Sequence, residues 1–135
     1  MLIRIWRAST TAANAAPYQQ LLLSEIFPGI HSRSIPGYLG IRLDRRDEPD
    51  GVEFVTTMLF ASIEDVITFA GCDYRTSVVP ASARALLSRF DPEAVHYDLV
   101  VGMGAMAPPA VALRDAMTSG GGSTQRPTSS TSAAS

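Results

Sequence analysis

The chain has 135 residues, 46% of them apolar and 18% charged, with a formal net charge of -2. That is the length and composition of one folded domain of about 100 to 150 residues, not of a fibrous or wholly disordered chain. With no basic stripe to serve as an electrostatic footprint, a nucleic-acid role is set aside. Cys72 is the single cysteine, which excludes an internal disulfide and a multi-cysteine zinc site and fits a reducing compartment, the cytoplasm being the simplest. Arginines interrupt the apolar residues of MLIRIWR, so the N-terminus has neither a signal-peptide core nor a membrane span, and no membrane partner is expected.

Leu2 to Arg7 alternates, with β-branched or aromatic residues at Ile3, Ile5 and Trp6, and predicts a first strand that Ser9, Thr10 and Thr11 end. From Ala12 to Ile30, Leu21, Leu22, Leu23, Ile26 and Phe27 recur at helical spacing, with Pro17 near the start. Pro28 and Gly29 are expected to end or kink this helix, because proline removes a helical hydrogen bond and crowds the preceding turn. Tyr38 to Arg46 and Val52 to Phe60 alternate as an antiparallel hairpin, with Asp47 to Gly51 as turn residues.

Ser62 and Asp65 form a capping-box pattern opening an amphipathic helix through Val66, Ile67 and Phe69 to Gly71. Pro80 can start a short helix over 81 to 90, which Asp91 and Pro92 break, and Ala94 to Val101 reads as the last strand. Residues 102 to 118 read as a linker with one or two weak helical turns at its end. The Gly, Ser and Thr of 119 to 135 cannot bury enough surface to offset ordering entropy and predict disorder. The folded domain is therefore 1 to 101.

This order, βαββαβ, predicts an α+β ferredoxin-like subunit with a four-stranded antiparallel sheet. If the strands share one sheet, Ile3, Ile5, Leu39, Ile41, Leu43, Tyr97, Leu99 and Val101 make an apolar face for the helices to cover. The other face, with Arg4, Trp6, Tyr38, Arg42 and His96, is mixed: too aromatic for bare solvent and too charged for a helix-covered core. A second copy of the chain is its natural cover, and a homodimer through this face is expected.

The runs MLIRIWR, IPGYLGIRLDRRD, VEFVTTMLFASIEDVITFAG, VVPASARALLSRFD and VHYDLVV, in this order, resemble the antibiotic biosynthesis monooxygenase-like proteins of the dimeric α/β barrel superfamily. The resemblance implies two subunits whose sheets join as a barrel, with a pocket between each sheet and its own helices. It also implies oxidation of a small aromatic or quinol-type metabolite by dioxygen without metal, flavin or haem, so no cofactor is expected. The protein would help deprotonate the substrate, and the electron-rich anion would pass an electron to dioxygen. A non-catalytic barrel that binds a small hydrophobic ligand, or serves in a stress response, is the alternative. Haem-degrading members resemble a different pattern, with asparagine on the first strand, tryptophan in the second helix and a histidine after it; here the strand is IRIWR, the helix carries Phe69 and no histidine lies between His31 and His96.

Such chemistry needs an apolar cavity, a proton acceptor near pH 7 and donors for the anion. His96 has the intrinsic pKa for proton transfer, set against strand parity that aims it at the dimer face. Tyr74 can donate to an oxyanion and Arg75 can pair with it, from the loop after the second helix; an ordinary surface loop is the bland reading. Trp6 and Arg7 are candidates for binding the substrate, with a core or interface anchor as the stronger reading of Trp6. Phe54, Met58 and Phe69 are expected around any cavity, with plain packing as their alternative. Cys72 lacks a nearby base, and no GxSxG elbow, phosphate loop or HExxH occurs.

Overall fold

The computed structural model describes residues 1 to 109; the weak helix expected at 110 to 117 and the disordered tail expected at 119 to 135 lie outside the described residues. Among the described residues there are five strands: β1 (Leu2–Thr10), β2 (Tyr38–Glu48), β3 (Gly51–Phe60), β4 (Arg89–Phe90) and β5 (Val95–Asp98). All pairings are antiparallel in the order β2-β3-β1-β4, with β5 also on β1. This is the expected ferredoxin-like plan, with the fourth strand position split in two: β4 lies opposite Ala8 and Ser9, and β5 opposite Leu2 to Ile5.

β1 continues past Arg7 because Ser9 and Thr10 find partners in Glu53 and Val52, and a β-branched threonine suits a pleated surface. The β2–β3 hairpin closes on Pro49 and Asp50, with Glu48 paired to Gly51. A Cβ on Gly51 would run into the carbonyl oxygen of Thr10, so only glycine lets the hairpin lie this close to β1.

The first helix is not ended by Pro28. It runs as α1 (Ala12–Leu21), a π-helical turn (Leu22–Ile26) and α2 (Phe27–Ser32) without a break. The widened turn, with the Phe27 amide on the Leu22 carbonyl, comes just before Pro28, where the proline has no N–H to place and its ring needs room. Thr11 caps the start, its hydroxyl accepting from the Asn14 amide at 3.2 Å.

α3 (Ile63–Ala70) starts at Ser62, whose hydroxyl donates to the Asp65 carboxylate at 2.7 Å. It stops at Gly71, φ 95°, a conformation that favours glycine. Arg33 donates to the carbonyls of Thr68 and Phe69 at the end of this helix, tying the end of α2 to α3.

α4 is only Ala81–Arg84, not a helix to Phe90. The amides of Ser88 and Asp91 instead bond the Ser9 and Arg7 carbonyls at 2.8 and 3.0 Å, so the open edge of β1 claims this backbone as β4. The last strand is likewise shorter than expected, four residues from Val95.

The largest correction concerns the two faces of the sheet. The register pairs Leu2 with Phe60, Arg4 with Met58, Trp6 with Thr56 and Ala8 with Phe54, and directly paired residues share a face. Phe54, Met58, Phe60 and Val52 are buried under the helices beside Tyr18, Leu22 and Val66. Arg4, Trp6 and His96 therefore face the helix layer, not a partner subunit. A register shift between Tyr38 and Gly40 is a bulge that brings Tyr38, Ile41 and Leu43 to that same inner face. Only Arg42 of the expected dimer set stays outside, paired with Thr57. The outer face carries Ile3, Ile5, Val55, Leu59, Val95 and Tyr97. Among the described residues, no helix is long and apolar enough to cross a membrane.

Candidate functional site

A hollow opens between the long helix and the inner face of the sheet. Leu22, Ile26, Phe27 and Ile30, displayed by the π turn and α2, form one wall; Arg4, Trp6, Ile41, Thr56 and Met58 form the sheet floor. Phe69 of α3, the loop from Val78 to Pro80, Ala83 and Tyr18 complete it. The room left for water-sized molecules is about 60 Å³, within an overall hollow of about 560 Å³ that includes its mouth. π turns recur at functional sites because they re-aim side chains within a helix, and this one supplies two of the wall residues.

Arg4 is the dominant charge here. It is 4% exposed, and its Nη1 donates to the Tyr74 carbonyl at 2.6 Å and to Nε2 of His96 at 3.0 Å. Nη2 makes a longer contact with the Thr76 carbonyl at 3.4 Å, and the guanidinium lies 5.5 Å from the Phe69 ring centre. No carboxylate lies within ion-pair distance among the described residues, whose salt bridges involve only Arg42, Arg45 and Arg46. Burial pulls the Arg4 pKa down to about 10, which still leaves it a cation at neutral pH.

Since Arg4 has only donors, His96 accepts at Nε2 and carries its proton on Nδ1. Burial, and then the charges of Arg4 and Arg75, hold its pKa below the ordinary 6.5. His96 is thus a neutral imidazole, stacked edge-on against Tyr74 at 5.3 Å. The sign of its linkage follows: the unfolded chain takes up a proton near pH 6.5 that the native state refuses until lower pH. Folding stability is therefore expected to be fully present above pH 6.5 and to decline as the pH falls through the native value. Thermal unfolding between pH 7.5 and 5 checks this; a His96→Gln variant that declines as steeply as the wild type would remove the histidine as the cause.

Burial also raises Tyr18 to about 12, keeping its hydroxyl a donor throughout the physiological range. Its ring meets Phe54 edge-on at 5.1 Å. Trp6 turns its ring to the hollow and anchors its Nε1–H on the Asp91 carbonyl at 2.7 Å.

Of the residues singled out in the sequence, Trp6, Met58 and Phe69 line the hollow. Phe54, 1% exposed, sits in the core beneath Tyr18. Tyr74 and His96 stand behind Arg4, and Tyr74 acts on it through its carbonyl. Arg75 is exposed, its carbonyl accepting from the Ala94 amide. Arg7 is on the opposite face, paired with Val55. Arg4, Tyr18 and Thr56 are the polar lining that sequence reasoning missed. The even positions of β3, Val52, Phe54, Met58 and Phe60, are its heavier set, but only the register that pairs Arg4 with Met58 turns Arg4 inward with them. Among the described residues, no group of three or more His, Cys, Asp or Glu could hold a metal ion, and Cys72 is exposed.

No protein-family model matches the sequence, and no curated protein matches it significantly. Solved structures do match. A Bacillus cereus protein described as a candidate antibiotic biosynthesis monooxygenase superposes with a TM-score of 0.54 at 12% identity, covering 76% of this chain and 96% of that one. One from Deinococcus radiodurans, described in the same way, gives 0.52 at 18% identity over 79% and 100%. Another so described, from Chloroflexus aurantiacus, gives 0.50 at 20% identity over 76% and 96%. At these identities the likeness is one of fold, and the resemblance read from the sequence is borne out at that level.

Proposed function

We propose, from a fold shared with proteins described as candidate antibiotic biosynthesis monooxygenases, that this chain oxidises a small aromatic or quinol-type metabolite with dioxygen and without a cofactor. The observation that carries the reading is an apolar hollow with one buried guanidinium at its floor. A cation within about 4 to 6 Å lowers the pKa of a substrate hydroxyl by about 1 to 3 units, so an activated phenol or enol ionises there near neutral pH. His96 stands behind Arg4 and outside the lining of the hollow, and takes the proton at Nε2 once Arg4 swings its donor to the substrate oxygen and uncovers the imidazole. Tyr74 holds Arg4 in place, and Arg75 adds positive charge nearby. The anion passes an electron to dioxygen, and the resulting radicals combine at carbon. When the oxidised carbon is a ring CH₂, one oxygen atom ends as its carbonyl and the other leaves as water, the four electrons coming from that carbon.

Oxygen uptake against anthrones, quinols and catechols tests this. Consumption of one dioxygen per substrate is expected, and His96→Gln should lower kcat by roughly 100-fold with little change in KM, the scale of a lost general base. No enzyme-dependent uptake across the panel would sink the reading. The engagement of His96 Nε2 by Arg4 favours the second reading, a non-catalytic binder of a small hydrophobic ligand, whose signature is binding without uptake.

The working unit in this proposal is a homodimer, joined through Ile3, Ile5, Val55, Leu59, Val95 and Tyr97 in place of Arg4, Trp6, Tyr38 and His96, which lie on the inner face. Tyr97 and Val95 are 53% and 41% exposed in the single subunit, and a row of large apolar side chains across adjacent strands is what sheet-on-sheet association buries.

A further inference from the structure

We propose that the hollow selects a ligand of one aromatic ring at its buried end whose innermost group is a negatively charged oxygen, carboxylate or phenolate, seated on Arg4. This rests on the same site as the oxidation reading and names the class of molecule that site takes.

The first argument is electrostatic. A buried charge is costly unless it is paired and hydrogen-bonded. Arg4 is 4% exposed, and among the described residues its polar partners are two carbonyl oxygens and a neutral imidazole. These are dipoles, and none supplies a negative charge. A guanidinium has five N–H donors; Nε makes no hydrogen bond among the described residues, and the Nη2 contact is long at 3.4 Å. Donor capacity and uncompensated charge therefore meet on the floor of the hollow. A guanidinium offers two parallel N–H groups that match a carboxylate, and such charge-assisted bonds are about twice as strong as neutral ones.

Size gives the second argument. About 60 Å³ of internal room holds roughly four to six waters, at about 10 to 15 Å³ for each, which is the bulk of a single ring. The wall above Arg4 is apolar, with Phe69, Met58 and Ile41 to meet the ring faces. The hollow is open at its mouth, so a larger molecule can leave its remaining rings outside.

Trp6 lines the hollow and is the sole tryptophan, which makes its fluorescence a direct report of occupancy. The test is titration of the full chain with benzoate and with benzamide, its neutral isostere, under nitrogen. Benzoate is expected to bind at least tenfold tighter. Arg4→Met should abolish that difference, and Arg4→Lys should keep part of it. Arg4→Met leaves the Tyr74 and Thr76 carbonyls without their donor and should lower the thermal midpoint; circular dichroism checks that it folds, and Arg4→Lys, which keeps a charge and donors, carries the comparison if it does not. The wild type, and Arg4→Lys to a smaller extent, should gain thermal stability from benzoate, and Arg4→Met should not. Equal affinity for the two probes, binding of neither at millimolar concentration, or an anion preference that survives in Arg4→Met would each overturn the proposal. Because these measurements need no dioxygen, anion-selective binding without oxygen uptake defeats the oxidation reading alone, while oxygen uptake with equal benzoate and benzamide affinity defeats this one alone.

Discussion

Phe60→Ala is expected to cost roughly 3 to 5 kcal/mol of folding stability, the range for removing a buried phenylalanine whose space cannot refill. Phe60 is 0% exposed, at the end of β3 where Leu2 and Tyr38 flank it on both neighbouring strands. Its ring meets Tyr38 at 6.0 Å and Phe69 at 5.7 Å, and Val66 of α3 shares the same cluster. Three strands and a helix thus converge on one side chain, so the cavity has no single flexible wall to close it. Domains of this size are stable by about 5 to 15 kcal/mol, which makes the change a large fraction of the total. Urea unfolding monitored by circular dichroism gives the value. Leu23→Ala, at a side chain 50% exposed on the long helix, serves as a control and should stay within about 0.5 to 1 kcal/mol. A Phe60→Ala loss no greater than the control would mean that Phe60 does not anchor α3 to the sheet.

The second large effect is on assembly. Ile5→Lys places an ammonium in the middle of the outer face, between Thr57 on β3 and Val95 on β5. In an isologous dimer the substitution enters twice, and each unpaired charge buried in such an interface costs about 3 to 5 kcal/mol. A face near the standard size of about 800 Å² per partner cannot absorb that. Sedimentation at tens of micromolar should show a dimer for the wild type and a monomer for Ile5→Lys, with the far-ultraviolet spectrum unchanged. A wild-type monomer under those conditions would sink the dimer; a variant that remains dimeric would move the interface elsewhere. The inner-face alternative is separated by the same measurement, since Arg4 variants should leave the sedimentation untouched.

Much of the architecture was legible residue by residue. The alternation of Val52 to Phe60, the turn at Pro49 and Asp50, the Ser62 start of α3 and its stop at Gly71 all depend on neighbours within a few residues, where steric preference and capping decide the outcome. The order of elements followed from these, and with it the ferredoxin-like plan. Elements set by distant partners were read less well. Arg89 and Phe90 carry no strand signal of their own and became β4 because β1 had an open edge opposite Ala8 and Ser9. Pro28 stops an isolated helix, yet here a π turn accommodates it while the packing of Leu22 on Tyr18 and Phe54 holds the helix in place.

The candidate site shows the same division more sharply. That Arg4 and Trp6 share a face was determined by the sequence itself, because side chains along one strand alternate with a period of two; His96 joins them through the pairing of β5 with β1. Which face that is was decided by tertiary structure alone. β1 is apolar on both sides, with Ile3 and Ile5 on one and Leu2, Trp6 and Ala8 on the other, so its own pattern is nearly symmetric between core and surface. The register with β3 breaks that symmetry: pairing Arg4 with Met58 turns Arg4 under the helices, and a slip of one residue would have turned it out. The bulge at Leu39 repeats the lesson on β2, since one extra residue reverses the parity of a strand without leaving a local mark. Register is the sum of many weak contacts between segments far apart in the chain, and for that reason the buried arginine, the most consequential charge in the molecule, was visible as a residue but not as a site.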